Sequence, residues 1–183
     1  MDYYKKRLFL AEVDKKDNII GKIERWQAHK EGILHRGYTV IMTYQDSIIL
    51  QHRKHLAFDG YYDLTFSSHQ IYKNETLQTD LEAIDESLKR EWNIDQTGLV
   101  DELKFLGKFH YKVKDPNSIF TEHEIDYIFQ AELKDPPIPN PDFAYGFKLI
   151  KNFLALESSA KWAKLEIRNF KIAPWVSEII KMI

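Results

Sequence analysis

The chain has 183 residues, with 26 Lys and Arg against 28 Asp and Glu, a formal charge of -2 and no cysteine. That length suits a single domain over residues 1–183, and the charge leaves no general basic field, so nucleic acid is a poor partner and any anion must be gripped by local residues. The missing cysteines exclude a disulfide framework, a thiolate metal site and a cysteine nucleophile. No stretch has signal-peptide character or approaches the roughly 20 apolar residues of a membrane span, so the expectation is a soluble, cytoplasmic monomer or homodimer.

In chain order, Leu8 to Val13 reads as a strand, Asp14 to Asn18 as a polar turn, and Ile19-Ile20-Gly21 as the return of a hairpin. A short helix is predicted from Ile23 to His29. From Gly37 to Tyr44 the pattern turns to period two, with Tyr38, Val40, Met42 and Tyr44 on one face, and Ser47 to Arg53 returns after a Gln45-Asp46 turn. Asp59-Gly60 marks a loop, and the stretch to Gln70 is poorly periodic.

The clearest helix runs from about Thr79 to Trp92, because Leu81, Ile84, Leu88 and Trp92 recur at helical spacing and Thr79 with Glu82 forms a capping box. Two strands follow, one with Phe109, Tyr111 and Val113 on alternate positions and one from about Glu124 to Leu133. If the latter begins early enough, period two puts Glu122 and Glu124 on the same face. Pro136 to Pro141 is a loop. Phe147 to Leu156 and Pro174 to Met182 are predicted partly helical, with Pro174 suited to a first turn. Strands alternating with a central and an end helix point to an α/β or α+β sandwich.

Three constellations could carry chemistry. His29, His35 and His69 offer nitrogen donors and Glu122 and Glu124 oxygen donors, a mixture that suits Mn²⁺, Mg²⁺, Zn²⁺ or Fe²⁺. Arg25, Arg53, Lys54, His55 and Lys112 could hold phosphate. Glu91 lies on the central helix with Glu82, Asp85 and Glu86, where carboxylates ordinarily face water and pair with Lys89 and Arg90.

These residues fall in a familiar order. Glu12 to Gly21 followed by His29 to Arg36 resembles the opening shared by Nudix proteins and isopentenyl-diphosphate isomerases. More specific are Phe109-His110-Tyr111-Lys112 and Thr121-Glu122-His123-Glu124-Ile125-Asp126-Tyr127, which resemble the HYK and EHEIDY segments of the type 1 isomerases, and Ala173-Pro174-Trp175, similar to their TPW. The resemblance runs from about Leu8 to Trp175. It implies a Nudix fold, a mixed sheet sandwiched by helices, and interconversion of isopentenyl and dimethylallyl diphosphate by protonation and deprotonation.

Carried across residue by residue, the resemblance implies a metal site of His29, His35, His69, Glu122 and Glu124. It also implies Glu91 for diphosphate-bound Mg²⁺, with Mg²⁺ or Mn²⁺ as cofactor and Zn²⁺ an alternative at the histidines. Glu124, assisted by Tyr111, would protonate the double bond and Trp175 would face the resulting cation. Arg25 falls at a diphosphate lysine and Arg53 at an arginine, while a loop two residues shorter leaves Lys54 or His55 for a second lysine.

Three departures stand out. Ser67 replaces the catalytic cysteine, a helix arginine aligns with Ser87, and Tyr61-Tyr62-Asp63-Leu64-Thr65 resembles the YWDLS run of Nudix hydrolases where the isomerases have TNT. The Nudix box laid on Tyr72 to Ile94 keeps only Glu91 of its metal-binding glutamates. The alternatives are a divergent Nudix hydrolase acting on a diphosphate-containing substrate, or a diphosphate-binding homologue that has lost its chemistry.

Overall fold

A computed structural model describes residues 3–151 and 170–183. Its centre is a nine-stranded mixed sheet. Strand β1 (Phe9–Val13) and β2 (Ile19–Glu24) form the expected hairpin, and α1 (Arg25–Glu31) follows directly. The helix begins two residues later than predicted because Ile23 and Glu24 still pair with β1 and because the Glu24 side chain caps it, accepting from the Gln27 N–H. Gly32 closes the helix in the left-handed conformation, which a side chain disfavours.

Strand β3 (His35–Tyr44) is the hub. It pairs antiparallel with β4 (Ser47–Arg53) and β6 (Phe66–Ser68), meets β1 at Glu12, and runs parallel to β10 (Thr121–Glu132). Between them lie β5 (Tyr62–Leu64) on β4, the ribbon of β7 (Tyr72–Lys73) and β8 (Thr76–Leu77), helix α2 (Asp80–Trp92), and β9 (Lys104–Lys114) antiparallel to β10.

Period two gives β3 two different faces. Tyr38, Val40 and Met42 join Ile49, Phe66, Ala83, Ile84, Leu88, Trp92 and Phe129 in a core beneath α2. The predicted capping box of Thr79 and Glu82 is present, but Leu81 points to solvent and Ala83 takes its place in the core. On the opposite face, Ile41, Leu50, Phe58, Leu64 and Ile128 pack with Trp175, Val176 and Ile179 of the C-terminal end, where α3 (Val176–Ile179) is a single turn. Pro174 lies just before that turn rather than within it.

The helix predicted over Phe147 to Leu156 is corrected for its first part. Ala144–Lys151 is β11, antiparallel to β4 from Ala144↔Arg53 to Lys151↔Ser47, and residues 152–156 lie outside the described ones. The proline loop joins β10 to β11 and is tied to α2 by the Asn140 N–H, which donates to the Glu91 carbonyl. Among the described residues no helix is long and apolar enough to cross a membrane.

Candidate active site

Strand register assembles the site. Glu124 of β10 is paired with His35 on one side and with Tyr111 of β9 on the other, so three neighbouring strands put His35, Glu124 and Tyr111 in one row. Because β10 begins at Thr121, Glu122 lies two residues back on the same face as Glu124. The same parity places Thr39 on this face of β3, opposite Ser67 of β6. Gly37, two residues after His35, keeps the row open: a Cβ there would come within 2.7 Å of a Glu124 carboxylate oxygen.

One donor atom from each of His29, His35, His69 and Glu122 lies within 4.8 Å of the others. His29 comes from α1, with Nδ1 3.1 Å from Glu122 Oε2. His35 donates Nδ1–H to the Ile33 carbonyl at 2.8 Å, which fixes the tautomer and leaves Nε2 a bare lone pair. Both His29 Nδ1 and His35 Nε2 are buried without a hydrogen-bond partner. Buried nitrogens seldom stay unpaired, and here they converge with a carboxylate, so the donor set fits a divalent cation.

Glu124 stands outside that four-residue group but touches it, with Oε1 2.8 Å from His69 Nε2 and 3.4 Å from His35 Nε2. Its Oε2 accepts from the Tyr111 hydroxyl at 2.7 Å. Burial pushes the Glu124 carboxyl upward, but the neighbouring His35 and His69 rings outweigh it and hold it well below the usual carboxylate range. Burial lowers His69 to about 4 despite Glu124, whereas beside His29 the Glu122 carboxylate overcomes burial and raises the ring. Tyr111 is pushed well above its ordinary value by burial and by the Glu124 charge.

A cavity of about 50 Å³ opens beside this group, lined by residues that include Arg25, Arg53, His55, Ser67, Arg90 and Glu91. Its cations are already engaged. Arg25 donates to the carbonyls of Tyr3 at 3.1 Å and Lys6 at 3.4 Å. Arg53 is buried against Asp63, with NH1 to Oδ2 at 2.6 Å, instead of standing free for a diphosphate. His55 is partly buried, and desolvation with the nearby arginines pushes its ring well below the ordinary value, so it serves as a neutral group. Lys54 is not brought to the cavity, because its amine bonds the Pro141 carbonyl at 2.8 Å. Lys112 is exposed on β9, alternating away from Tyr111.

Glu91 is buried at the other end of the cavity, accepting from Arg90 at 2.7 Å and from Gln51 at 3.3 Å. It is absent from the His29–His35–His69–Glu122 group. Glu82, Asp85 and Glu86 stay away from it: Glu82 belongs to the cap, Asp85 pairs with Lys89, and Glu86 with Lys73. Sequence reasoning did not single out Arg90 as a site residue. Its guanidinium reaches back to Ser87 Oγ at 2.8 Å, three residues earlier on the same helix face, and so puts a cation beside the position where the resemblance lacks one.

The N-terminal turn was also missed. Tyr3 and Tyr4 belong to a single 3-10 turn and line the cavity, with Arg90 4.2 Å from the Tyr3 ring centroid and Trp26 Nε1 donating to the Tyr4 carbonyl at 2.8 Å. A clustering of tyrosines before the first strand was the one available signal.

Trp175 and Ser67 meet at a buried carboxylate. The Trp175 ring lies 5.6 Å from that of Tyr111, and its Nε1 donates to Asp63 Oδ1 at 2.8 Å. Ser67 Oγ donates to Asp63 Oδ2 at 3.0 Å and shares a 2.8 Å hydrogen bond with Thr39 Oγ1. Thr39 also lies 2.9 Å from Asp126 Oδ2, whose carboxyl is pushed well above the usual range by burial and by the Glu124 charge.

No family profile matches the chain. Isopentenyl-diphosphate Delta-isomerase 1 of Photorhabdus laumondii is 31% identical over 135 residues, covering 70% of this chain and 71% of that protein. The isopentenyl-diphosphate Delta-isomerase 1 of Bos taurus is 28% identical over 177 residues, covering 89% of this chain and 76% of that one. A MutT Nudix hydrolase from Burkholderia pseudomallei superposes with a TM-score of 0.55 at 14% identity, covering 82% of this chain and 98% of the hydrolase, a likeness of fold alone.

Proposed function

Because the chain belongs to the isopentenyl-diphosphate isomerase family and has the Nudix fold, we propose that it interconverts isopentenyl and dimethylallyl diphosphate. The observation that carries this reading is the row of His35, Glu124 and Tyr111, in which one carboxylate joins a phenol to a cluster of unpartnered histidine nitrogens. His29, His35, His69 and Glu122 would hold the divalent cation, with Glu124 Oε1 at its edge. When bound, such an ion supplies fixed positive charge in a dry pocket.

Glu124 is the proton donor. An unactivated double bond is a weak base, so the acid must be positioned against it, and Glu124 is the carboxyl held between the Tyr111 hydroxyl and the histidine rings. Tyr111 keeps Oε2 oriented. Protonation of the terminal carbon leaves a tertiary cation, which the Trp175 face stabilises. Loss of a proton from the adjacent carbon toward Ser67 completes the shift. Arg25, Arg90, His55 and Arg53 line the side that would take the diphosphate, and Glu91 on the same wall would hold the Mg²⁺ that a diphosphate carries.

Ligand pockets usually measure roughly 300–1,000 Å³, so the cavity must widen for substrate to enter, and Tyr3 and Tyr4 of the N-terminal turn are part of the wall that could move. Hydrolysis by a Nudix box needs several carboxylates around the metal, and Glu91 is the one α2 carboxylate among the residues lining the cavity.

The test is incubation with isopentenyl diphosphate and Mg²⁺ or Mn²⁺ in deuterated water, followed by NMR. Deuterated dimethylallyl diphosphate is the expected product. Phosphate release instead would show a hydrolase, and binding without turnover a protein that has lost its chemistry; either result overturns the isomerase reading.

A further inference from the structure

The Ser67 hydroxyl is a poor base by itself, because taking up a proton would leave it a positively charged oxonium. The structure answers this with a neighbour. Asp63 is buried and accepts four hydrogen bonds: Leu64 N–H and Trp175 Nε1–H on Oδ1, both at 2.8 Å, and Arg53 NH1 at 2.6 Å and Ser67 Oγ at 3.0 Å on Oδ2. Three of these donors, one of them a guanidinium, fix a carboxylate in place, and the fourth is the hydroxyl that lines the cavity.

We propose that Asp63 is the positioning residue and proton acceptor behind Ser67, so that deprotonation of the substrate cation runs through the serine hydroxyl to a buried carboxylate. The inference rests on the isomerase reading and adds to it the group that stands in for the missing thiol. In the step, the C–H bond beside the cationic carbon breaks and its electron pair becomes the new double bond. The proton goes to Ser67 Oγ as the Ser67 proton passes to Asp63 Oδ2. Asp63 becomes a neutral carboxylic acid and returns its proton by the same path to water after product leaves. Burial pushes the Asp63 carboxyl above its ordinary range, with Arg53, Trp175 and Ser67 opposing, which suits an acceptor.

The geometry also couples two roles through one side chain. Asp63 anchors the indole of Trp175 and orients Ser67, so the two side chains are held by opposite oxygens of a single carboxylate. Asp63 and Ser67 are both positions at which the sequence departs from the isomerase pattern, and they touch each other.

The test compares Asp63→Asn in the unaltered chain and in a Ser67→Cys background, with isomerisation followed by NMR and folding by near-ultraviolet circular dichroism. A thiol can take the proton as an anion and needs no carboxylate behind it. The expected result is a kcat loss of about 100-fold in the unaltered chain with little change in KM, shrinking to roughly threefold in the Ser67→Cys background. Since Asp63→Asn leaves Arg53 buried and unpaired, Arg53→Met/Asp63→Asn, which removes both charges, is compared in the same two backgrounds should the single variant not fold. An unchanged rate in Asp63→Asn, or an equal loss in both backgrounds, overturns the relay while leaving the isomerase reading intact. Absence of dimethylallyl diphosphate from the unaltered chain overturns that reading, and the relay with it.

Discussion

The two halves of the cavity differ in how their polar groups are satisfied. At the histidine end, His29 Nδ1 and His35 Nε2 are buried with no hydrogen-bond partner, next to the carboxylates of Glu122 and Glu124. At the arginine end the cations have partners, with Arg25 on the N-terminal carbonyls, Arg53 on Asp63 and Arg90 on Glu91. The first is a set of converging donors that fits a divalent cation. The second is a closed site that must exchange internal contacts for a ligand's. On the proposed function, metal affinity would follow from the fold and diphosphate affinity from the cost of opening.

The largest effect should come from the residue that joins the halves to the chemistry. Glu124→Gln keeps the shape but cannot cycle a proton, and isomerisation should fall by about 10²–10⁴-fold as measured by product NMR; an unchanged rate would remove Glu124 from the acid role. At the histidine end, His35→Ala deletes one of the converging lone pairs. Even partners outside the ligand shell are worth about 10–100-fold in metal affinity, so a loss of about 100-fold or more in Mn²⁺ titration is expected. An unaltered titration would place the ion elsewhere. The smallest change belongs to the closed end. Trp26→Phe removes the hydrogen bond to the Tyr4 carbonyl, a contact worth about 0.5–1.5 kcal/mol, so closure weakens and inorganic diphosphate should bind about 2- to 10-fold more tightly. Weaker binding would mean that the turn supports the cradle instead of competing for it.

How far the sequence reached depended on whether a signal was local. The Thr79–Glu82 box and the spacing of Ile84, Leu88 and Trp92 are local, and α2 follows them, although Leu81 faces solvent because only part of an amphipathic stripe meets the sheet. Alternation in β3 was equally legible: Tyr38, Val40 and Met42 do share a core face. Strand β11 was not legible, since Phe147, Leu149 and Ile150 show no clean period of two and its conformation is imposed by pairing with β4. The histidines and glutamates could be ordered by resemblance, but their convergence depends on the parallel register of β3 and β10, which no local pattern encodes. For the same reason Arg53 looked available for a diphosphate until Asp63, ten residues on and one strand over, was seen to hold it.

The proposed chemistry depends on the side chains of His29, His35, His69 and Glu122 forming a divalent-cation centre against Glu124, the proton donor. Anomalous diffraction from crystals grown with Mn²⁺ reads that out without recourse to turnover. The predicted result is one strong anomalous peak within bonding distance of His29 Nδ1, His35 Nε2 and the His69 ring, with Glu122 and Glu124 oxygens completing the shell. A map with no peak there, and with water hydrogen-bonded to those nitrogens at saturating Mn²⁺, would contradict it.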